Sequence, residues 1–190
     1  ELAHYPVLLD TFLQQRYRHL PDKRELRDIL RQQLLRVEPN DEEELLSVLR
    51  LFKKNQVLAV AASDVLAERP IMKVSDSLTY IAAVVLEAAL ERAFAEIVKR
   101  YGYPIGQDGD PVTEADCGFA IIGYGKLGGL ELSYSSDLDL VFLHKIKEQG
   151  MTTGEKSVSG MKFAARLAQK LMTYLNTQTR DGRAYEVDMR

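Results

Sequence analysis

Hydrophobic positions recur at helical spacing through the first hundred residues, and beyond residue 116 short strand-like runs enter, interrupted by one further helical stripe. Val7, Leu8, Leu9, Phe12 and Leu13 make Pro6–Tyr17 a short amphipathic segment. A second stripe, Leu26, Ile29, Leu30, Leu34 and Val37, follows Asp22 and Glu25, which have the spacing of an N-terminal capping pair; Pro39 ends it. Asn40 and Glu43 repeat that spacing ahead of a long helix running to about Glu68, striped by Leu45, Leu49, Phe52 and Val60 and closed by Pro70. Ser75, followed by Asp76, is the expected cap of the longest helix. Its apolar residues include Leu78, Ile81, Val85, Leu86, Leu90, Phe94 and Ile97, and Gly102 and Pro104 stop it. No stripe keeps a heptad, so residues 1–103 predict a packed helical bundle rather than a coiled coil.

Between Tyr103 and Asp116, Pro104, Gly106, Gly109, Pro111 and several aspartates make a loop, and the boundary between a bundle (1–103) and a second unit (104–190) is drawn there. Phe119–Ile122 followed by Gly-Tyr-Gly reads as a strand leaving into a tight turn. Asp137–Leu143 reads as a second strand, apolar on both faces after Asp139 and therefore expected to be central and covered. Lys145–Gly154 is a polar loop expected to move. A helix over about Glu155–Thr179, an Asp181-Gly182 turn and an alternating segment over Arg183–Arg190 complete a strand, turn, strand, helix, strand order. The fold class predicted is α+β.

Period-two geometry sets Asp137 and Asp139 on one face of the second strand, with Leu138, Leu140 and Phe142 on the other. On the last strand Glu186 and Asp188 share a polar face opposite Tyr185 and Val187. Carboxylates grouped on one strand face repel one another, and hard oxygen donors suit magnesium or manganese. Three of them on two neighbouring strands make a cradle for two cations ~3.5–4 Å apart. Asp188 is the preferred third ligand and Glu186 its alternative.

Gly123–Gly128 also matches G-x-G-x-x-G. The dinucleotide fingerprint needs a crossover helix and an acidic residue closing the next strand, whereas here the aspartates open that strand after too short a link. A P-loop is excluded because Leu127 follows Lys126. What remains is a turn whose backbone N–H groups can meet a phosphate, with Lys126 as a point charge. Glu131 is placed to cap or orient that turn. Arg166, Lys170, Arg180 and Arg183 are further phosphate candidates, the first two explained equally well as a solvated helix face.

Bulk composition narrows the classes. A net charge of −3 on 190 residues offers no electrostatic footprint for nucleic acid, and no apolar run approaches a bilayer-spanning length. The single cysteine, Cys117, cannot form an internal disulfide, and His4, His19 and His144 have no ligand spacing. A cytoplasmic protein is expected. The chain opens at Glu1 without methionine and stops at Arg190 inside an alternating pattern, which reads as a piece of a longer polypeptide.

The glycine pair, short gap, Asp-x-Asp and later acidic strand resemble the polymerase-β-like nucleotidyltransferase superfamily. The full run from Gly123 to His144, with Gly-Tyr-Gly-Lys-Leu-Gly-Gly and Ser-Tyr-Ser-Ser-Asp-Leu-Asp, is similar to the bifunctional glutamine synthetase adenylyltransferases. Tyr185–Arg190 resembles that family's third-carboxylate segment, and Leu8-Leu9-Asp10, Leu34–Val37 and Met72–Asp76 resemble its helical lead-in. The resemblance implies a bundle packed on a small mixed-sheet nucleotidyltransferase core that is cut short at its C-terminal end. It also implies transfer of AMP from ATP to a tyrosine hydroxyl of glutamine synthetase, with release of pyrophosphate. Asp137 and Asp139 would bind two magnesium or manganese ions, and Asp188 would bind one and help deprotonate the tyrosine. Gly128, Gly129, Ser136 and Lys126 would hold the nucleotide, and a PII signal protein would be a second partner. The motifs resemble the adenylylating half of the family. The alternatives are the phosphorolytic, AMP-removing half, and a non-catalytic module that docks glutamine synthetase or PII.

Overall fold

The computed structural model describes residues 18–67, 69–113 and 116–189; the amphipathic segment expected at Pro6–Tyr17 lies outside them. The chain runs α1 (Lys23–Leu34), α2 (Glu42–Ala67), α3 (Ile71–Tyr101), β1 (Phe119–Gly123), a single turn α4 (Gly125–Gly128), β2 (Leu138–His144), α5 (Gly160–Asn176) and β3 (Val187–Met189).

Local chemistry sets several of these limits. Asp22 and Glu25 form the reciprocal capping box of α1, each side chain accepting from the other's backbone N–H at 2.8 Å. The helix buries Leu26, Leu30 and Leu34 and stops there rather than reaching Pro39, and Ile29 turns outward. At α2 the cap is Asp41, which accepts from Glu44 N–H at 2.8 Å, while Asn40 accepts from Lys99 instead. Ser75 caps nothing: α3 begins at Ile71, because Pro70 has the fixed φ of a helix entrance and its carbonyl takes the N–H groups of Lys73 and Val74. Gly102, at φ 78°, closes α3.

Helix α3 is the centre of the molecule. It buries residues on nearly every side, from Val74 to Tyr101, and packs against α1, α2 and α5. Ala82, Ala89 and Ala93 let those neighbours approach closely. Phe94 meets Phe163 of α5 edge-on, with ring centroids 5.9 Å apart. One continuous apolar core runs from Leu26 through α3 and α5 to Val187.

The sheet order is β1-β2-β3. β1 pairs antiparallel with β2, and β3 joins parallel to β2 through the α5 crossover. This is the small mixed sheet of an α+β fold. Helix α5 is shorter at both ends than its apolar pattern suggests, because Ser159 caps it and Thr177 leaves helical geometry. The polar loop 145–154 is not a free flap. Lys147 N–H donates to Ile105 O, Thr153 N–H to Tyr103 O and Gly154 N–H to Tyr101 O, so its backbone is laced to the exit of α3. Among the described residues no helix is long and apolar enough to cross a membrane.

Candidate active site

The carboxylates come from the two parallel strands. Asp139 and Asp188 are direct register partners across β2 and β3, with Leu138 opposite Val187 one step earlier. Asp137 stands two residues before Asp139 on the same side, just ahead of β2. Leu138 and Leu140 are completely buried and Val187 nearly so, which fixes the core face and turns Asp137, Asp139 and Asp188 to the other. Glu186 shares that polar side but precedes β3, and its carbonyl is occupied by the N–H of Leu138 at 2.9 Å. The register thus sets Asp188, not Glu186, opposite Asp139.

The face holding these carboxylates is open, contrary to the covered strand expected from its apolar run. β2 is central in the sheet, yet Leu143 is 55% exposed and Ile122, opposite Val141 on β1, is 38% exposed. Among the described residues, helices cover the side carrying Leu138 and Leu140.

The glycine turn is fastened to the same strand. Tyr124 N–H donates to Asp139 O at 2.9 Å, one step beyond the Gly123–Leu140 pair. Gly125 has φ 52°, and a Cβ there would stand 2.5 Å from Asp139 Oδ2. A Cβ on Gly128 would stand 2.5 Å from the Gly123 carbonyl oxygen, so packing demands that glycine. The N–H groups of Gly128 and Gly129 are spent inside the turn, on Tyr124 O and Gly125 O. Glu131 N–H reaches back to Lys126 O at 2.7 Å with Leu130 left-handed at φ 58°, a Schellman-type closure that makes Glu131 a backbone cap. Lys126 lies exposed on this turn.

The link from the turn to β2 is anchored separately. Ser136 Oγ accepts from Ser133 N–H at 3.0 Å and lies 2.8 Å from Ser133 Oγ, while Tyr134 OH donates to Asp64 of α2 at 3.0 Å. Desolvation and that carboxylate push the Tyr134 phenol up to about 12.

Of the four basic candidates, only Arg183 comes near this link. It pairs with Glu186 at 3.3 Å and lines a cleft with Ser135 and Ser136. Arg166 stacks on Tyr101 at 4.4 Å, and Lys170 bridges Glu42 and Glu96 at 2.7 and 2.9 Å. Arg180 lines a groove with Asp41, Glu43 and Glu44. Cys117 is half-buried, burial pushes its thiol up, and it donates weakly to Phe119 O, a structural role.

Two residues of α2 are absent from any motif. Arg50 is 0% exposed and donates to Gly182 O at 2.8 Å, Leu46 O at 2.7 Å and Thr177 O, holding the segment that leads into β3. Lys53, one turn further, places Nζ 4.3 Å from the Tyr185 ring centroid in the cleft of Ser136 and Arg183. Their signal was the interruption of an apolar stripe by two cations at i, i+3.

Carboxylate oxygens facing across two strands fit a hard divalent cation, and Gly125 leaves the space beside Asp139 that a side chain would fill. Among the described residues no three His, Cys, Asp or Glu side chains converge into a cage.

The glutamate-ammonia ligase adenylyltransferase family matches residues 1–190. The bifunctional glutamine synthetase adenylyltransferase/adenylyl-removing enzyme of Acinetobacter baylyi is 56% identical over 190 residues, all of this chain and 20% of that protein. This chain spans about one fifth of the length of that relative. With a match along its whole length, the chain belongs to the glutamate-ammonia ligase adenylyltransferase family.

Proposed function

We propose that this chain supplies the catalytic core of a metal-dependent adenylyltransferase that moves AMP from ATP to a tyrosine hydroxyl of glutamine synthetase and releases pyrophosphate. The observation that carries the reading is the register of Asp188 opposite Asp139, with Asp137 on the same open face beside the glycine turn. In this reading Asp137 and Asp139 hold two divalent cations, magnesium or manganese, and Asp188 holds one of them. When bound, such cations neutralise charge at the α-phosphate and on the departing pyrophosphate.

Asp188 accepts the proton of the incoming tyrosine hydroxyl. The phenolic oxygen then bonds to the α-phosphorus as the bond from that phosphorus to the bridging oxygen breaks, and pyrophosphate leaves with the electron pair. Gly128 and Gly129, both exposed, keep the turn low enough for the triphosphate to approach, and Lys126 is its point-charge partner. Ser136 reaches a phosphate oxygen by trading its hydrogen bond with Ser133. A PII-type signal protein is the proposed regulatory partner.

The test is Asp137→Asn together with Asp139→Asn in the full-length protein, followed by labelled AMP incorporation into glutamine synthetase. Incorporation is expected to vanish, and retained transfer overturns the assignment. The relative's name couples adenylyl transfer with adenylyl removal, and the same carboxylates could serve either direction. Release of ADP from adenylylated glutamine synthetase and phosphate, without ATP-dependent labelling, would assign this chain to removal.

A further inference from the structure

A cleft of about 320 Å³ opens between the link that precedes β2 and the segment that precedes β3. Lys53, Ser135, Ser136, Arg183 and Glu186 line it, and Ser136 is the residue immediately before Asp137. Arg183 is already paired with Glu186. Lys53 is not neutralised in this way: among the described residues its contact is the Tyr185 ring, and no carboxylate pairs with it. Burial pushes the Lys53 ammonium below the ordinary lysine range, and the charge of Lys54 acts in the same direction.

A half-buried cation without a counter-charge is costly, and an incoming anion removes that cost. The lining is polar, and the face of the Tyr185 ring is taken by Lys53, so the cleft suits an anion better than a flat purine. One lysine and two serine hydroxyls, with an arginine that would exchange Glu186 for the incoming anion, are a phosphate-binding donor set.

We propose that this cleft receives the terminal phosphates of ATP, and therefore the leaving pyrophosphate, with Lys53 of the helical bundle as a binding residue for them. The proposal rests on the nucleotidyl-transfer reading above. It gives the helical segment a direct part in the chemistry: besides Lys126 of the turn, a second charge that meets the leaving group comes from α2, whereas the carboxylates come from the sheet.

Calorimetry on the full-length protein in magnesium chloride, with pyrophosphate, ATP and AMP as separate titrants, tests it. Lys53→Met keeps the aliphatic stem over Tyr185 and removes the charge, so folding is preserved. It is expected to weaken pyrophosphate and ATP by roughly ten- to a hundredfold, the span of a charge-assisted hydrogen bond, and to leave AMP unchanged. Lys53→Arg is expected to restore most of the loss. Unchanged pyrophosphate affinity in Lys53→Met, equal losses for all three ligands, or a defect confined to the KM for glutamine synthetase each overturn the proposal. Should Asp137→Asn with Asp139→Asn abolish transfer while Lys53→Met binds pyrophosphate normally, only the cleft assignment falls. Should the double variant retain transfer, or the unaltered protein bind neither ATP nor pyrophosphate, the nucleotidyl-transfer reading falls and takes the cleft with it.

Discussion

Tyr124 and Asp139 are joined through the backbone: the N–H of the first residue after β1 donates at 2.9 Å to the carbonyl of the residue that carries the central carboxylate. The glycine turn and the aspartate strand therefore cannot shift independently. Gly125 follows immediately and lies against the Asp139 side chain, so the turn both positions the strand and leaves the carboxylate room.

Gly125→Ala separates these effects. Its left-handed φ of 52° costs any L side chain about 1–2 kcal/mol, and the added methyl would meet Asp139 Oδ2. AMP transfer should fall by at least about tenfold as the carboxylate is displaced. Gly109→Ala is the control: φ is 94° with nothing within 4 Å of a built Cβ, so it should lose comparable stability and keep its transfer rate. Melting temperature and labelled AMP transfer, measured on both variants, decide the matter. Equal activity in the two would mean that Gly125 serves the backbone alone.

Tyr134→Phe should loosen the link that delivers Ser136 and Asp137. The hydrogen bond to Asp64 joins this link to α2, and its loss is worth about 1 kcal/mol at a partly exposed site. The pH dependence follows from the raised phenol. A folded-state value of about 12 against an unfolded value near 10 means the tether is intact below pH ~10 and is lost as pH rises through 12. Ultraviolet tyrosinate titration of the parent and Tyr134→Phe should differ by one phenol ionising in that late window. A difference near pH 10 instead would show that the tether does not form in solution.

What could be read from residues alone divides along physical lines. The Asp22–Glu25 capping box is closed by hydrogen bonds three residues apart, and the alternation that turns Asp139 away from Leu138 is a property of one strand; both are local. Ser75 failed as a cap because Pro70 had already supplied a helix entrance five residues earlier, and a polar side chain cannot outbid a fixed φ. The loop 145–154 looked mobile because its side chains are polar, whereas its order comes from backbone bonds to Tyr101, Tyr103 and Ile105. Arg50 and Lys53 carry no motif at all. Their roles depend on which distant carbonyls and rings α2 meets, and no window of sequence contains those.

Lys170→Met distinguishes structure from phosphate binding for a basic residue of α5 whose side chain is largely covered. Its ammonium bridges Glu42 and Glu96, and Glu96 also accepts from Tyr174 OH at 2.8 Å. Burial opposes the charge, but the two carboxylates outweigh it and hold the lysine above its ordinary value. The contribution is therefore present below the unfolded lysine range and fades only as pH rises through the raised value. Removing the charge should cost about 1 kcal/mol, because both glutamates remain nearly half exposed. The KM for ATP should not move. A rise in that KM without loss of stability would return Lys170 to the nucleotide site.

Arg50 is the most consequential single side chain away from the carboxylates. Its guanidinium donates to the carbonyls of Gly182, Thr177 and Leu46, and Ser47 one turn back donates to Asp181 at 3.0 Å, so α2 grips the turn before β3 from two positions. β3 has only three paired residues and cannot hold its own register, so Asp188 depends on that grip. Arg50→Met fills the volume but leaves the Thr177 carbonyl without its guanidinium donor, at a cost of about 1–3 kcal/mol, while the Gly182 carbonyl keeps the Thr179 N–H at 3.0 Å. Arg50→Lys keeps the charge and loses the planar fork, and should recover only part. In the full-length protein, hydrogen exchange monitored by mass spectrometry should show residues 177–188 losing protection in Arg50→Met while α1 and α3 keep theirs. AMP transfer should fall in parallel, since Asp188 would no longer be held opposite Asp139. Loss of protection across α1 and α3 as well would mean that Arg50 supports the whole core, and unchanged protection at 177–188 would show that β3 holds its register without it.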